Sequence, residues 1–324
     1  MRLGRAALAL TAAAALLVTA ACGKDDATGA SAADGTLTVT IGAVPSIDYG
    51  VIKVGEAQGF FAKHGVAVEV ATVDSGPAVV TGVVAGQYDL GWTGYAPVLL
   101  AVAAGNTDLR LVSNIGLWGA KGDNGGILVR RDSGITSFAG LAGRKVATNA
   151  PRSVLTLTLQ AAIAKAGGDP ARTELVTLPF AQIAKAVADK QVDAGVTVAP
   201  HQTKALQQFP QLTDLGDAPA AVLEPGSPSG AVFARKDPGA AEQTAIDRFR
   251  TAIKEALVYA DSHPDEVTTA GAALAGLSPA DAAALPKTDY RGDVTAAQIA
   301  PLAALMKQYG WITTDIDLAS FVGA

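Results

Sequence analysis

Four short loops hold most of the residues that could do chemistry. They are Ser46, Asp48 and Tyr49 in 45–49, Ser75 and Gly76 in 74–77, Thr93, Gly94 and Tyr95 in 93–95, and Asn149, Arg152 and Ser153 in 149–153. Each loop is polar, rich in small residues and placed directly before a helical pattern. A helix start offers unpaired N–H groups and the positive end of a dipole, worth ~0.3–1 kcal/mol to an anion. Three or four such starts converging on one cleft would hold a small anion with few Lys or Arg. Arg152 is the one cation within those loops, read either as an anion ligand or as a solvated side chain near a helix start. Ser75 and Ser153 serve equally well as helix caps. Tyr95 and Trp118 have a second use as core aromatics, although Gly and polar neighbours favour the wall or lid of a pocket.

Bond-making chemistry is poorly provided for. His64 and His263 lie in turns that end helices, and only His201, just after Pro200, stands near a candidate loop. No His-x-x-x-His pair, Gly-x-Ser-x-Gly elbow, phosphate loop or Cys cluster occurs in the chain. Asp and Glu are scattered over helix faces, the usual solvated pattern. The inventory points to binding without turnover, and no cofactor or metal site is expected.

The elements that must position these loops are announced by an internal echo. Gln87-Tyr88-Asp89-Leu90-Gly91-Trp92-Thr93 recurs 104 positions later as Gln191-Val192-Asp193-Ala194-Gly195-Val196-Thr197, and each run then closes on Ala-Pro (Ala96-Pro97, Ala199-Pro200). A helix, strand and loop repeated at that distance imply two lobes of similar construction facing one site. The second copy then supplies the opposing wall around Thr197 and His201. Asp89 and Asp193, at the strand starts, read as structural.

Around the echo, strand and helix signals alternate from Thr36 onward. Leu37, Val39 and Ile41 alternate with polar or small residues, as do Val66, Val68 and Val70, and Pro77 sits in the first turn of a helix. The resulting βαβα order implies a parallel open sheet with helices on both faces. In such sheets ligands bind at the carboxyl ends of the strands, where the four loops lie. Residues 115–126 form a Gly-rich candidate lid or hinge, and 215–230 reads as loop. The end of the chain is helical, with one stripe of Ile246, Phe249, Ile253 and Leu257 and another of Ile299, Leu302, Met306 and Tyr309. The pattern places a first lobe at 36–129 and 226–324 and a second at 130–225. Crossing segments are expected near 127–132 and 218–231.

The start of the chain reads as an export signal. Arg2 and Arg5 precede a weakly apolar run, 6–21, too short to span a bilayer, and small residues lead into Cys22. Cys22 is the chain's single Cys and stands at the cleavage point, as in a bacterial lipoprotein leader, although Thr19 occupies a position that usually carries Leu. Residues 22–35 read as a flexible tether. Of 324 residues, 49% are apolar and 17% charged, enough for two ordinary domains. The net charge of −5 becomes −7 once Arg2 and Arg5 are removed with the leader. No basic stretch marks a nucleic-acid partner.

Several stretches resemble the solute-binding lipoproteins of bacterial ABC importers, in the nitrate, sulfonate, taurine and thiamine-precursor branch. They are Gly55-Glu56-Ala57-Gln58-Gly59-Phe60-Phe61 with His64-Gly65-Val66, Ser75-Gly76-Pro77, Ala85-Gly86-Gln87-Tyr88-Asp89, Leu141-Ala142-Gly143-Arg144-Lys145-Val146-Ala147, Gln191-Val192-Asp193-Ala194 with Pro200, and Tyr309-Gly310-Trp311-Ile312. The resemblance implies a type II periplasmic-binding-protein fold, α/β with two lobes, each a mostly parallel open sheet flanked by helices. It implies a monomer, lipid-anchored on the outer face of the cytoplasmic membrane, that delivers a small polar or anionic solute to a permease and its ATPase. It also implies that the first-lobe loops and 149–153 contact the ligand. This chain departs from the commoner pattern at Pro151-Arg152-Ser153, where relatives carry a Gly-Ser-Thr-like helix start. It departs again at Thr197-Val198-Ala199-Pro200, which replaces an aromatic-acidic run. Sulfonate, nitrate and a pyrimidine precursor all remain open as ligands. Some relatives on this scaffold are enzymes, of which the pyrimidine-forming type carries a Cys-rich motif.

Overall fold

The computed structural model describes residues 35–118, 125–274, 276–285 and 287–323. The expected leader, Cys22 and nearly all of the tether lie outside them, as do 119–124 of the Gly-rich interruption. No helix among the described residues is long and apolar enough to cross a membrane.

The chain opens with β1 (Leu37–Ala43), a 3-10 turn (Ile47–Tyr49), α1 (Gly50–Ala57), α2 (Phe60–Lys63) and β2 (Val66–Thr72). Then follow α3 (Gly76–Val84), β3 (Leu90–Thr93), α4 (Tyr95–Ala103), β4 (Leu109–Asn114) and β5 (Gly116–Leu117). A second series runs through β6 (Gly125–Arg130), β7 (Lys145–Thr148), α5 (Val154–Lys165), β8 (Glu174–Thr177), α6 (Phe180–Ala188), β9 (Ala194–Val198), α7 (His201–Gln208) and β10 (Leu212–Asp214). After α8 (Ala218–Val222) come β11 (Ala231–Arg235), α9 (Ala240–Ser262), α10 (Pro264–Leu274), α11 (Pro279–Ala283), β12 (Asp289–Tyr290), α12 (Ala296–Gln308) and α13 (Leu318–Val322).

Two five-stranded sheets share one plan, β2-β1-β3-β11-β4 and β8-β7-β9-β6-β10. In each, four strands run one way and the fourth in the row, β11 or β6, runs against them. Each sheet carries its own helices, so the molecule is a two-lobed α/β structure. The sequence echo has a structural counterpart. The Asp89 carboxylate accepts from the Thr40 N–H at 2.7 Å, while Asp193 accepts from the Lys145 N–H at 2.9 Å. Each aspartate thus ties the start of one strand to its parallel neighbour.

Strand β6 corrects the expected boundary. Residues 125–129 pair with β9 and belong to the second sheet, so the chain crosses before 125 and not at 127–132. The second crossing falls within 215–230, which contains α8 as well as loop. The two crossings lie side by side. Ile115 donates to the Gly230 carbonyl at 2.9 Å, Ser229 to Gly116 at 2.8 Å and Trp118 to Ser227 at 2.7 Å. The lobes are therefore joined by a paired ribbon.

The α9 stripe of Ile246, Phe249, Ile253 and Leu257 is buried against Val39 and Ile41 of β1, as its spacing implies. The α12 stripe lies in a different cluster, one that runs from α3 and α4 across to α5. Helix α12 touches both α4 and α5, so the tail bridges the lobes.

Candidate functional site

A cavity of about 140 Å³ lies where the carboxyl ends of both sheets meet. From the first lobe come Ser46 and Asp48 of the 3-10 turn, Trp92 and Thr93 at the end of β3, and Gly76 and Gly94 at the starts of α3 and α4. From the second come Asn149, Ser153, Val154 and Leu155 at the start of α5, Phe180 at the start of α6, and Ala199 after β9. Trp118 and Ser229 reach it from the crossing ribbon.

Local chemistry fixes these positions. Ser46 caps the 3-10 turn by accepting from the Asp48 N–H at 3.1 Å, and Ser153 caps α5 by accepting from the Thr156 N–H at 3.2 Å. Both serines therefore cap helices and line the cavity, which for Ser153 merges the two readings the sequence left open, whereas Ser75 precedes α3 without a side-chain cap bond. Gly76 is required by close approach, since a Cβ there would stand 2.5 Å from Thr93 Oγ1 and 2.6 Å from Pro97 Cγ. The first turns of α3, α4, α5 and α6 all reach the cavity, two from each lobe.

Asp48 is the one charged side chain among the described lining residues. Its carboxylate accepts from Thr288 Oγ1 at 3.0 Å, Tyr290 Oη at 3.2 Å and Ser46 Oγ at 3.2 Å. Burial pushes its pKa up, and those three hydrogen bonds pull it part of the way back. The residue as a whole is partly accessible and is among those that line the cavity. Two further lining residues carry buried polar atoms without a partner among the described residues, the indole N–H of Trp118 and Oδ1 of Asn149. Each residue is only 9% exposed. An unpaired buried donor or acceptor costs roughly 1–3 kcal/mol.

Of the sequence-derived candidates, Ser46, Asp48, Gly76, Thr93, Gly94, Trp118, Asn149 and Ser153 line this cavity. The other six do not. Tyr49 stands behind Trp92, ring on edge at 5.1 Å, and His201 stands behind Phe180, stacked at 5.6 Å. Burial, and secondarily Lys204, lowers the His201 pKa and favours the neutral ring. Tyr95 is fully buried and donates to Asn114 Oδ1 at 2.9 Å, anchoring α4 to the first crossing. Thr197 is buried within β9, and Ser75 lies just outside the lining. Arg152 is exposed in a separate outer groove, donating to the Trp311 carbonyl at 3.2 Å with its guanidinium 5.5 Å from that ring.

Trp92 and Phe180 line the cavity without having been singled out. Both look like core aromatics in the sequence, but one ends a strand and the other begins a helix. The strand-end rule that selected the loops would have found them.

No group of three or more His, Cys, Asp or Glu among the described residues could hold a metal ion. The arrangement suits a small solute with polar groups at both ends. A closed cavity of about 150 Å³ takes one benzene, so there is room here for a compact solute.

A family model described as NMT1/THI5 like matches residues 47–267. No curated protein matches the chain by sequence. Solved structures match it at low identity over nearly its whole described length. The alkanesulfonate-binding protein SsuA from Xanthomonas axonopodis pv. citri, bound to MOPS, is 20% identical over 88% of this chain and 98% of its own, with a TM-score of 0.71. The periplasmic aliphatic sulphonate binding protein SsuA from Escherichia coli is 23% identical over 88% and 97%, with a TM-score of 0.68. The periplasmic nitrate-binding protein NrtA from Synechocystis PCC 6803 is 15% identical over 87% and 84%, at 0.71. At these identities the likeness establishes the fold, a two-lobed periplasmic-binding-protein fold.

Proposed function

The chain belongs to the NMT1/THI5-like family, and from that premise we propose that it is the solute-binding component of an ABC importer. It captures one small polar or anionic solute between its lobes and passes it to a membrane permease driven by an ATPase. The observation that carries this reading is the cavity itself, lined by two helix starts from each lobe. A ligand touching both lobes favours closure, because its contacts are complete only in the closed arrangement. The helix starts supply the positive potential for an anionic group where no Lys or Arg lines the cavity among the described residues. The solved sulfonate- and nitrate-binding relatives support a sulfonate- or nitrate-like head group. The reading is of binding without turnover.

In this reading the leader exports the chain, and a lipid on Cys22 holds it at the outer face of the cytoplasmic membrane, working there as a monomer. The test is calorimetry and small-angle scattering on the protein cut after the leader, with sulfonates, nitrate, small carboxylates and pyrimidines. A 1:1 complex, a smaller radius of gyration and an unaltered ligand are expected. Conversion of a ligand to product, or no binding across the set, would overturn it.

A further inference from the structure

Solute capture leaves the outer groove beside Arg152 without a use. That groove has a volume of about 730 Å³ and is walled by α3 and α4, by residues 311–314, and by Arg152 itself. Val84, 44% exposed, gives it an apolar floor together with Leu100 and Ala104. Thr81 and Thr314 also line it, but their hydroxyls donate to the chain's own Pro77 and Ala103 carbonyls, at 3.0 and 3.4 Å. Apolar surface gathered into an exposed groove marks a binding face more often than it marks chance.

Charge decides what suits it. Arg152 is the only charged side chain among the described lining residues. One arm of its exposed guanidinium donates to the Trp311 carbonyl, and the rest of the fork meets no carboxylate among the described residues. Such a fork takes a carboxylate with two parallel N–H donors. Arg152 adjoins Ser153, a cavity residue, whereas Val84 ends α3 at its far end from the cavity. From Pro77 to Val84 the helix rises ~10 Å, which sets the length of the trough. One cationic end and an uncharged apolar run match a single aliphatic chain with one anionic head. A partner helix or an acidic peptide brings several charges, for which the groove has one counter-charge. We propose that the groove binds a long-chain aliphatic carboxylate as a monomer, its head on Arg152 and its chain along α3 and α4 beside Trp311. The site is distinct from the cavity, since Val84, Leu100 and Trp311 have no part in the cavity's lining.

The test is calorimetry on the protein cut after the leader, with decanoate, butanoate and decyltrimethylammonium, each below its micelle concentration. One decanoate per chain is expected, with butanoate and decyltrimethylammonium each bound at least tenfold more weakly. Arg152→Ala should bring decanoate to within about twofold of decyltrimethylammonium. Loosened lobes alone would weaken both compounds alike, so this ratio isolates the charge. Val84→Glu, at an exposed position, should weaken decanoate tenfold or more, and it decides the matter if Arg152→Ala fails to fold. Equal binding of decanoate and decyltrimethylammonium by the wild type overturns the proposal. So does decanoate binding that Val84→Glu leaves unaltered, which would place the chain elsewhere. Binding to phosphatidylglycerol vesicles without binding of monomeric decanoate would make the groove a bilayer contact, and a dimer that decanoate fails to displace would make it a contact between copies; either result overturns the assignment. None of these outcomes bears on the solute-binding reading, which is tested at the cavity.

Discussion

Asp48 illustrates how a cavity-lining residue can work against the fold that holds it. Its pKa in the folded chain is raised, chiefly by burial, so the folded state takes up its proton more readily than the unfolded one. The linked stability is fully present below the ordinary carboxylate value of about 4 and is lost as pH rises through the raised folded value. Unliganded Asp48→Asn should therefore melt about 2 °C higher than wild type at pH 7, with the gap closing near pH 4, in scanning calorimetry. The Asn side chain can still accept from Thr288 and Tyr290 while donating to Ser46 Oγ. A lower melting point at pH 7 would mean that the carboxylate is stabilising as it stands. Nearly half of the lining was legible from the loops because short polar runs before helices sit where such sheets bind ligands. Tyr49, Tyr95 and His201 misled because a loop position does not say which way a large ring turns. Each turned inward, onto Trp92, Asn114 and Phe180.

The turn that carries Asp48 is held by a contact between two helices that have almost no side chain at their meeting point. A Cβ on Gly271 of α10 would fall on the Ile47 carbonyl oxygen, and one on Gly50 at the start of α1 would fall on that of Val267. Gly271→Ala must push α10 away from the turn, an overpacking cost of about 1–3 kcal/mol. Solute affinity should fall with it, since Asp48 moves. Denaturant unfolding and calorimetry check both effects, and an unaltered affinity would show that the turn keeps its place without α10. The sequence could not reveal this packing, because a contact made through glycines leaves no apolar stripe. The long stripes of α9 and α12 were legible because they are built of large residues at helical spacing. The crossing at β6 was misplaced for another reason. Ile127, Leu128 and Val129 are apolar enough for either sheet, and their antiparallel pairing with β9 decides the matter.

Across the whole molecule, Arg152 and Trp311 join the lobes on the outside of the cleft. Arg152 precedes α5 in the second lobe, and the Trp311 indole donates to Gln160 Oε1 of α5 at 3.2 Å. Nearby Thr314 donates to the Ala103 carbonyl of α4 in the first lobe at 3.4 Å. Removing the clasp should lower the closed population of the unliganded protein. Arg152→Ala and Trp311→Ala are each expected to enlarge the radius of gyration and weaken solute binding about three- to tenfold. If Arg152 were instead a ligand of the anion, its variant alone would lose binding. The two-lobed plan itself was readable from the echo at Asp89 and Asp193, since both copies perform the same strand-to-strand tie. That plan also sets an order of assembly. Every strand of the second sheet lies between 125 and 214, whereas β4 of the first sheet is bonded in that sheet only to β11, at 231–235. As the chain emerges from its amino end, the later-made lobe can close while the earlier one still waits for its fourth strand. Its β4 stays an unpaired edge for more than a hundred residues of growth, the stage at which a growing chain most needs to be kept from sticking to its neighbours.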